Sequence, residues 1–404
     1  MKNHPSRVLV PLEQPKTFVG NKDTGSAATT SFPSSPKRRP RARKIAKYEL
    51  PLPCSILSSI CFPSLKTKIE VQNCAVIPPK SATPVYEDKA KAEFEDSPNF
   101  TGQKIIATIL LPSGGLKQVD LRTLLNGPHA NATESRFPMK NPGNSVRIVG
   151  CCDGLVCLAV DGKQFSLWNP CTGNYKKLPE VDDDNMNFLF ISKYGFGFDY
   201  GSCDYKVLGI MTGFSGPNRY QIMAKVYSLK ADSWKKVEIF NDGLPTDDAA
   251  KFVGGKLHWG KKVGLNWEIV SFDLATETLG KVEPPLGFEG FFSASLGILG
   301  GCLCVLRDFR ERNLDVWVLQ HYGVGDSWVK MASIHYDIIR CVLRKGPYPE
   351  PLWMGPTGEV LLVCGSSFVI WDPSGGRLRC PETMKFGAFV EADVYTESLV
   401  SFGH

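Results

Sequence analysis

A phrase that recurs along the chain constrains the fold more than any other feature of the sequence. "FSLWNPCTGNYKKLP" (165–179) and "FVIWDPSGGRLRC" (368–380) each join an apolar strand, a Trp, an Asn or Asp, a turn and a basic stretch. Aromatic residues end comparable apolar runs at spacings of 59, 45, 45 and 54 residues: Trp168, Tyr227, Phe272, Trp317 and Trp371. A repeat of about 45 residues built from β-hairpins is typical of propeller blades. The repeat therefore predicts an all-β, kelch-like β-propeller.

Packing explains why the chain would repeat one phrase. A single four-stranded blade has two apolar faces, and it can bury both only against neighbouring blades. The recurring aromatic is predicted to fill the gap between adjacent blades, and Tyr227 with Trp234 forms the Y-x6-W pair of kelch-type blades. This blade-packing role is assigned to six residues: Trp168, Tyr227, Trp234, Phe272, Trp317 and Trp371.

The number of blades depends on how the ring closes. Five blades are recognisable between Val146 and Cys380. The hairpin at 104–121 and the strand-like residues 387–402 are predicted to join as a sixth blade, which would remove two exposed sheet edges. The irregular spacings leave five or seven blades as alternatives to six.

The N-terminal hundred residues differ in composition from the rest. Residues 1–49 are predicted to be a disordered basic tail, 50–74 a short apolar island, 75–99 a linker and 100–404 the propeller. Residues 1–50 contain 11 Lys/Arg and 3 Asp/Glu, whereas the whole chain has a net charge of only +6. The body therefore has no strong positive field, and binding to nucleic acid or to a membrane is not expected.

The basic tail contains a candidate nuclear-import segment, "PKRRPRARK" (36–44), although an ordinary solvated tail is the alternative interpretation. Its basic residues are Lys37, Arg38, Arg39, Arg41, Arg43 and Lys44. The thirteen Cys form no CxxC pair, which predicts reduced thiols and a location in the cytoplasm, the nucleus or both.

The sequence contains no convincing catalytic, metal or cofactor motif. The glycine cluster "YGFGFDYG" (194–201) precedes a strand, whereas a dinucleotide loop needs a helix directly after it. The six His are scattered, His258 lies on a predicted strand, and no Gly-x-Ser-x-Gly elbow occurs. The chain is therefore predicted not to be an enzyme and to bind no cofactor or metal, although an enzyme built on a propeller stays open because fold alone does not decide function.

The order of several motifs carries a family resemblance. From about Lys117 to His404 the chain resembles the F-box-associated domain of plant F-box proteins, including the S-locus F-box group. Motifs in the family order include "VRIVGCCDGLVCL" (146–158), "YGFGFDYGSCDYKVLGI" (194–210), "GGKLHWG" (254–260) and "LGILGGCLCVLRDF" (296–309). The resemblance implies a kelch-like propeller that presents substrate proteins to a cullin-RING ubiquitin ligase.

The segment where that family carries its F-box departs from the pattern. "LPCSILSSICFPSLKTKIEVQNC" (52–74) keeps Leu52-Pro53 and Ile56-Leu57, but its first helix is too short and the closing Lys-Ser-Trp is missing. The resemblance implies a protein-binding adaptor of an SCF-type ligase, with a substrate protein, a Skp-type adaptor and a cullin as partners. An F-box-less scaffold or decoy that binds partners without ligase activity is the alternative.

A charged turn between two apolar strands is the candidate partner-binding loop. "RDFRERNLD" (307–315) places six charged residues at one propeller connection, where rigid rings display variable loops. An ordinary solvated hairpin tip is the plainer interpretation. The residues assigned to partner binding are Arg307, Asp308, Arg310, Glu311 and Arg312.

Overall fold

A computed structural model describes residues 102–402 with gaps. The residues left out are 110–114, 128–131, 136, 139–144, 163, 182–186, 215–219, 240–242, 265, 288–292, 310–312, 336–348 and 382–389. The predicted disordered tail, apolar island and linker (1–99) lie outside the described residues.

The described residues form six four-stranded antiparallel sheets, which confirms the six-bladed all-β propeller. Blade 1 consists of β24 (Val390–Thr396), β1 (Gln103–Ile109), β2 (Leu116–Asp120) and β3 (Thr133–Glu134), with helix α1 (Leu121–Asn126) after β2. Blade 2 consists of β4 (Val146–Cys152), β5 (Leu155–Val160), β6 (Gln164–Trp168) and β7 (Tyr175–Lys177). Blade 3 consists of β8 (Asn187–Asp199), β9 (Asp204–Phe214), β10 (Tyr220–Ser228) and β11 (Ser233–Val237).

The remaining three blades repeat this order. Blade 4 consists of β12 (Lys251–Val253), β13 (Lys256–Val263), β14 (Asn266–Asp273) and β15 (Thr278–Val282). Blade 5 consists of β16 (Ser293–Leu299), β17 (Cys302–Phe309), β18 (Asn313–Leu319) and β19 (Trp328–His335), with a 3-10 turn at Gly325–Ser327. Blade 6 consists of β20 (Glu350–Met354), β21 (Val360–Cys364), β22 (Ser367–Asp372) and β23 (Arg377–Arg379).

The first strand of each blade surrounds the axis of the ring. β24, β4, β8, β12, β16 and β20 each contact the next in circular order. Because antiparallel strands alternate in direction, the connections between blades and the second-to-third-strand hairpins share one face. We call this the channel face, and the other the opposite face.

The two ends of the described chain close the ring within blade 1. β24 pairs with β1 over seven residues, from Gln103 opposite Thr396 to Ile109 opposite Val390. The C-terminal segment thus supplies the inner strand of a blade whose other strands come from the N-terminal side of the propeller. This is the closure predicted from the sequence.

Each of the six blade interfaces holds one apolar cluster, and the residue before the third-to-fourth-strand turn lies in it. Between blades 1 and 2, for example, buried Trp168 packs with Ile106 and Tyr395 of blade 1. The residues at this position, in chain order, are Val119, Trp168, Tyr227, Phe272, Leu319 and Trp371.

Trp317 departs from the expected equivalence. Its cross-strand partner is Lys330, whereas Leu319 pairs with Trp328 just as Tyr227 pairs with Trp234. A register shift between Val316 and Trp317 accompanies the offset. Trp317 is partly buried at the edge of the interface between blades 4 and 5, with the Lys330 ammonium 6.0 Å from its ring centroid. Leu319 therefore fills the repeated position in blade 5.

Trp234, the remaining residue assigned to blade packing, joins blade 3 to blade 2. Its ring lies 5.3 Å from that of Tyr227 and 5.5 Å from that of Phe165, and its Nε1 donates to the Pro179 carbonyl at 2.8 Å. Trp328 of blade 5 makes the same kind of bond, 2.8 Å long, to the Glu283 carbonyl of blade 4. Indoles on fourth strands thus tie a blade to the end of the preceding one.

The Asn of the "WNP" phrase has a further role that the Asp of "WDP" does not share. The side-chain oxygen of Asn169 accepts from the Cys171 N–H at 2.8 Å, as that of Asp372 accepts from the Ser374 N–H at 2.9 Å. The Asn169 amide also donates to the carbonyls of Ser398 (3.0 Å) and Val400 (2.7 Å). Only an amide both accepts and donates in this way. Asn169 therefore fastens the segment after β24 onto blade 2.

We expect Asn169→Asp to lower the free energy of unfolding by about 2–3 kcal/mol, because two carbonyls lose their donor and face a carboxylate instead. Asp372→Asn, the matched control, keeps its acceptor oxygen and should change stability by less than about 0.5 kcal/mol. Urea denaturation of both variants measures the difference. Equal stability of the two variants would show that the Asn169 contacts contribute nothing.

One described cysteine departs from the predicted reduced state. Cys151, Cys152, Cys157 and Cys364 are free thiols, but Cys302 is disulfide-bonded, so the expectation of reduced cysteines is wrong at that residue. No helix in the described part of the chain is long and apolar enough to span a membrane.

Candidate functional site: the charged mouth of the central channel

A cavity of about 280 Å³ opens at the channel face, where the inner strands begin. The first residues of β4, β12, β16, β20 and β24 line it, together with residues 246–250 before β12. The side chains of Asp248 and Glu350 are 44% and 57% exposed, so the cavity reaches solvent. We call this cavity the channel mouth. Its charged residues are Arg147, Asp247, Asp248, Lys251, Glu350, Glu391 and Asp393.

Arg147 on β4 joins the two sides of the mouth. Its Nε donates to Glu391 Oε1 at 2.6 Å and its Nη2 to Asp248 Oδ2 at 2.7 Å. Lys193 on β8 also donates to Asp248, at 2.6 Å. Burial is the largest single influence and disfavours the charged form of Arg147, but Glu391, Tyr194 and Asp248 together outweigh it and raise the pKa. Arg147 is therefore held charged between the strand that closes the ring and the loop before blade 4.

Two carboxylates of the mouth have no ion-pair partner within 4.0 Å among the described residues. Asp247 accepts only the Gly260 N–H, at 2.7 Å, and burial raises its pKa to about 6. Burial likewise raises the pKa of Asp393, with partial compensation from Lys251. Lys251 itself lies 3.7 Å from Glu350. The mouth therefore carries a surplus of negative charge.

This arrangement offers a charged, concave surface for recognition. The carboxylates and cations come from four segments of the chain: β4, residues 247–251, β20 and β24. In the described ranges, no group of three or more His, Cys, Asp or Glu could hold a metal ion. A rigid, concave and acidic opening can select a complementary charged group on a partner.

Two of the predicted partner-binding residues are described, and both lie at the same face. Arg307 and Asp308 end β17 and are 7% and 9% exposed, so their side chains are largely covered. Arg310, Glu311 and Arg312 lie outside the described residues, as do the six basic residues of 36–44. Partner binding by the loop and nuclear import by the tail stay predictions.

Sequence reasoning missed the channel mouth because its members are far apart in the chain. Arg147 and Glu391 are separated by 244 residues and meet only because β24 closes the ring. Isolated charges at the starts of short strands give no local signal. The usable signal was the repeat itself, since residues near the starts of five inner strands, those of β4, β12, β16, β20 and β24, converge on one opening.

His258, on β13 as its predicted strand position indicates, is completely buried. Its Nδ1 lies 3.1 Å from the Lys251 carbonyl, which can only accept, so Nδ1 carries the proton. Its Nε2 therefore accepts from the Tyr322 hydroxyl, at 2.6 Å. Burial lowers the His258 pKa to about 4, so the imidazole is neutral near pH 7.

Comparison with known families identifies the propeller. Residues 117–350 match the model described as the F-box associated beta propeller domain. The match spans β2 to the start of β20 and includes most of the blades described above.

Two curated relatives come from Arabidopsis thaliana. The chain is 30% identical over 263 residues to the F-box/kelch-repeat protein At3g23880, covering 63% of this chain and 69% of that protein. It is 29% identical over 300 residues to F-box protein CPR1, covering 65% of this chain and 68% of that protein. Both relatives are named as F-box proteins.

Proposed function

Because this chain belongs to the plant F-box protein family with an F-box associated β-propeller domain, we propose that it is a protein-binding, non-enzymatic adaptor of an SCF-type ubiquitin ligase. The observation that carries the proposal is the family match over most of the propeller, together with relatives that are named as F-box proteins. In this role the propeller recognises a substrate protein, and the N-terminal region recruits a Skp-type adaptor and through it a cullin.

The geometry of the propeller supports such a division of labour. The described chain enters the ring near Gly102, next to Thr396 at the end of β24, and therefore on the opposite face. The channel mouth lies at the other end of the inner strands. A substrate bound at the channel face would therefore leave the entry of the described chain at Gly102 uncovered.

The test is reconstitution of the full chain with a purified Skp-type adaptor. We expect a 1:1 complex on size exclusion that is lost in Leu57→Asp, because the apolar island would provide the docking contact. Leu286→Asp, at an 89% exposed propeller position, is the matched control and should leave the complex intact. Absence of a complex with the wild-type chain, under conditions in which a known F-box protein binds, would overturn ligase membership and favour the F-box-less scaffold.

We propose a nuclear or cytoplasmic location for the chain, with nuclear import driven by the basic segment 36–44. A fluorescent fusion of the full chain should lose nuclear signal when all six of its basic residues are changed to Gln. Unchanged nuclear accumulation would remove the segment from this role.

A further inference from the structure

The channel mouth has the size of a site for one side chain. Its volume of about 280 Å³ lies at or below the lower end of the ~300–1,000 Å³ typical of small-molecule pockets. Strands from several blades build it, so its walls are fixed by the ring and not by a single loop. A pre-formed concave site of this kind needs little reorganisation when a group enters it.

The charges of the mouth do not balance. Five carboxylates line the cavity with two cations, Arg147 and Lys251, and Lys193 adds a third cation through Asp248. The existing ion pairs engage Glu391, Asp248 and Glu350. Asp247 and Asp393 are the two carboxylates left over, and a low-dielectric cleft strengthens their field.

A buried tyrosine hydroxyl lies beside the same residues. Tyr194 on β8 is 3% exposed, and among the described residues its hydroxyl interacts with the Arg147 side chain but makes no hydrogen bond of normal geometry. The charges of Glu391, Arg147 and Asp248 all act on this group, which places it next to the mouth. A tyrosine oxygen can accept a hydrogen bond from an ammonium or guanidinium group.

We propose that the channel mouth binds the positively charged side chain, Lys or Arg, of a partner protein. The cation enters between Asp247 and Asp393, which supply charge-assisted hydrogen bonds of the strong kind. The positive charge of this side chain offsets the surplus negative charge of the mouth. Burial disfavours the charged form of both carboxylates, and a cation between them stabilises that form. The inference rests on the proposed function in one respect, since it takes the partner to be the substrate.

The experiment uses the full chain and four small probes: N-acetyl-arginine methylamide, its lysine analogue, the neutral citrulline analogue and the glutamate analogue. Saturation-transfer NMR measures their binding. We expect the Arg and Lys probes to bind at least tenfold more tightly than citrulline, and the Glu probe not to bind. Equal binding of Arg and citrulline, or binding of none of the probes, overturns the proposal.

Variants locate the binding. Asp247→Asn with Asp393→Asn should weaken Arg binding at least tenfold while keeping the fold, because neutral amides preserve shape and remove a buried charge. Asp247→Asn alone serves if the double variant does not fold. Asp326→Asn, which changes an exposed acid on the opposite face, is the control and should bind as wild type does. Arg binding that survives in the double variant places the site elsewhere and overturns the proposal.

Two other occupants are outcomes of the same test. If the probes bind only after the six basic residues of 36–44 are changed to Gln, the chain's own tail fills the mouth and the partner assignment is wrong. If the Arg probe converts a dimer to a monomer, a second copy fills it, with the same consequence. Failure of the adaptor reconstitution does not affect these readouts, because it concerns the N-terminal region, so the two proposals fail separately.

Discussion

Replacing Trp168 with Ala should lower the free energy of unfolding by about 3–5 kcal/mol, the usual cost of removing a buried Trp from a packed core. Trp168 is 2% exposed and fills the interface between blades 1 and 2, with the Phe137 ring 5.6 Å away edge-on. Its Nε1 makes no hydrogen bond among the described residues, so the loss is one of packing alone. Urea denaturation monitored by fluorescence and circular dichroism measures it.

Trp317→Ala is the matched comparison, because it removes the same type of side chain from a position two residues before the repeated one, which Leu319 occupies. Trp317 is only partly buried and lies at the edge of its cluster. Its loss should cost about 1–2 kcal/mol, in proportion to the smaller apolar area buried. A cost equal to that of Trp168→Ala would contradict the assignment of the repeated position to Leu319.

His258 should make the stability of the protein depend on pH between about 7 and 4. The unfolded imidazole has a pKa of about 6.5, whereas burial lowers it to about 4 in the fold. Below pH 6.5 the unfolded state therefore binds a proton that the folded state excludes, and stability falls as the pH falls. The pKa difference corresponds to about 3 kcal/mol at this completely buried residue.

The measurement compares wild type with His258→Gln, which cannot take up a proton. Wild type should be the more stable of the two at pH 7, and its advantage should shrink by about 3 kcal/mol on acidification to pH 4. The difference between proteins is needed because Asp247, whose pKa is raised to about 6, contributes stability that is lost as the pH rises through that value. A constant difference across the range would contradict a buried neutral His258.

Much of the fold is predictable because the sequence of a propeller repeats the residues that pack each blade against the next. The recurring aromatic, the following turn and the closing C-terminal strand follow from the need of each blade to cover its neighbour. The displacement of Trp317 was not predictable, because the sequence alone does not reveal a register shift inside a hairpin. In the sequence, Trp317 is indistinguishable from an aromatic residue at the repeated position, although Leu319, two residues later, occupies that position.

Two features of the structure could not be predicted from the repeat. Asn169 and Asp372 occupy the same position of the repeated sequence, yet of these two residues only Asn169 holds the C-terminal segment. Arg147, Asp248 and Glu391 meet through contacts that span more than a hundred residues of chain. Periodicity predicts that these positions converge, but the pairing of their charges depends on the three-dimensional ring.

Hydrogen–deuterium exchange of the full chain tests the central claim, ring closure by the C-terminal strand, most directly. Every amide of β24 that bonds to β1 should be protected as strongly as the amides shared by β4 and β5. Residues 390–396 exchanging as fast as an unstructured chain, while β4 stays protected, would mean that the blades are held together in some other way.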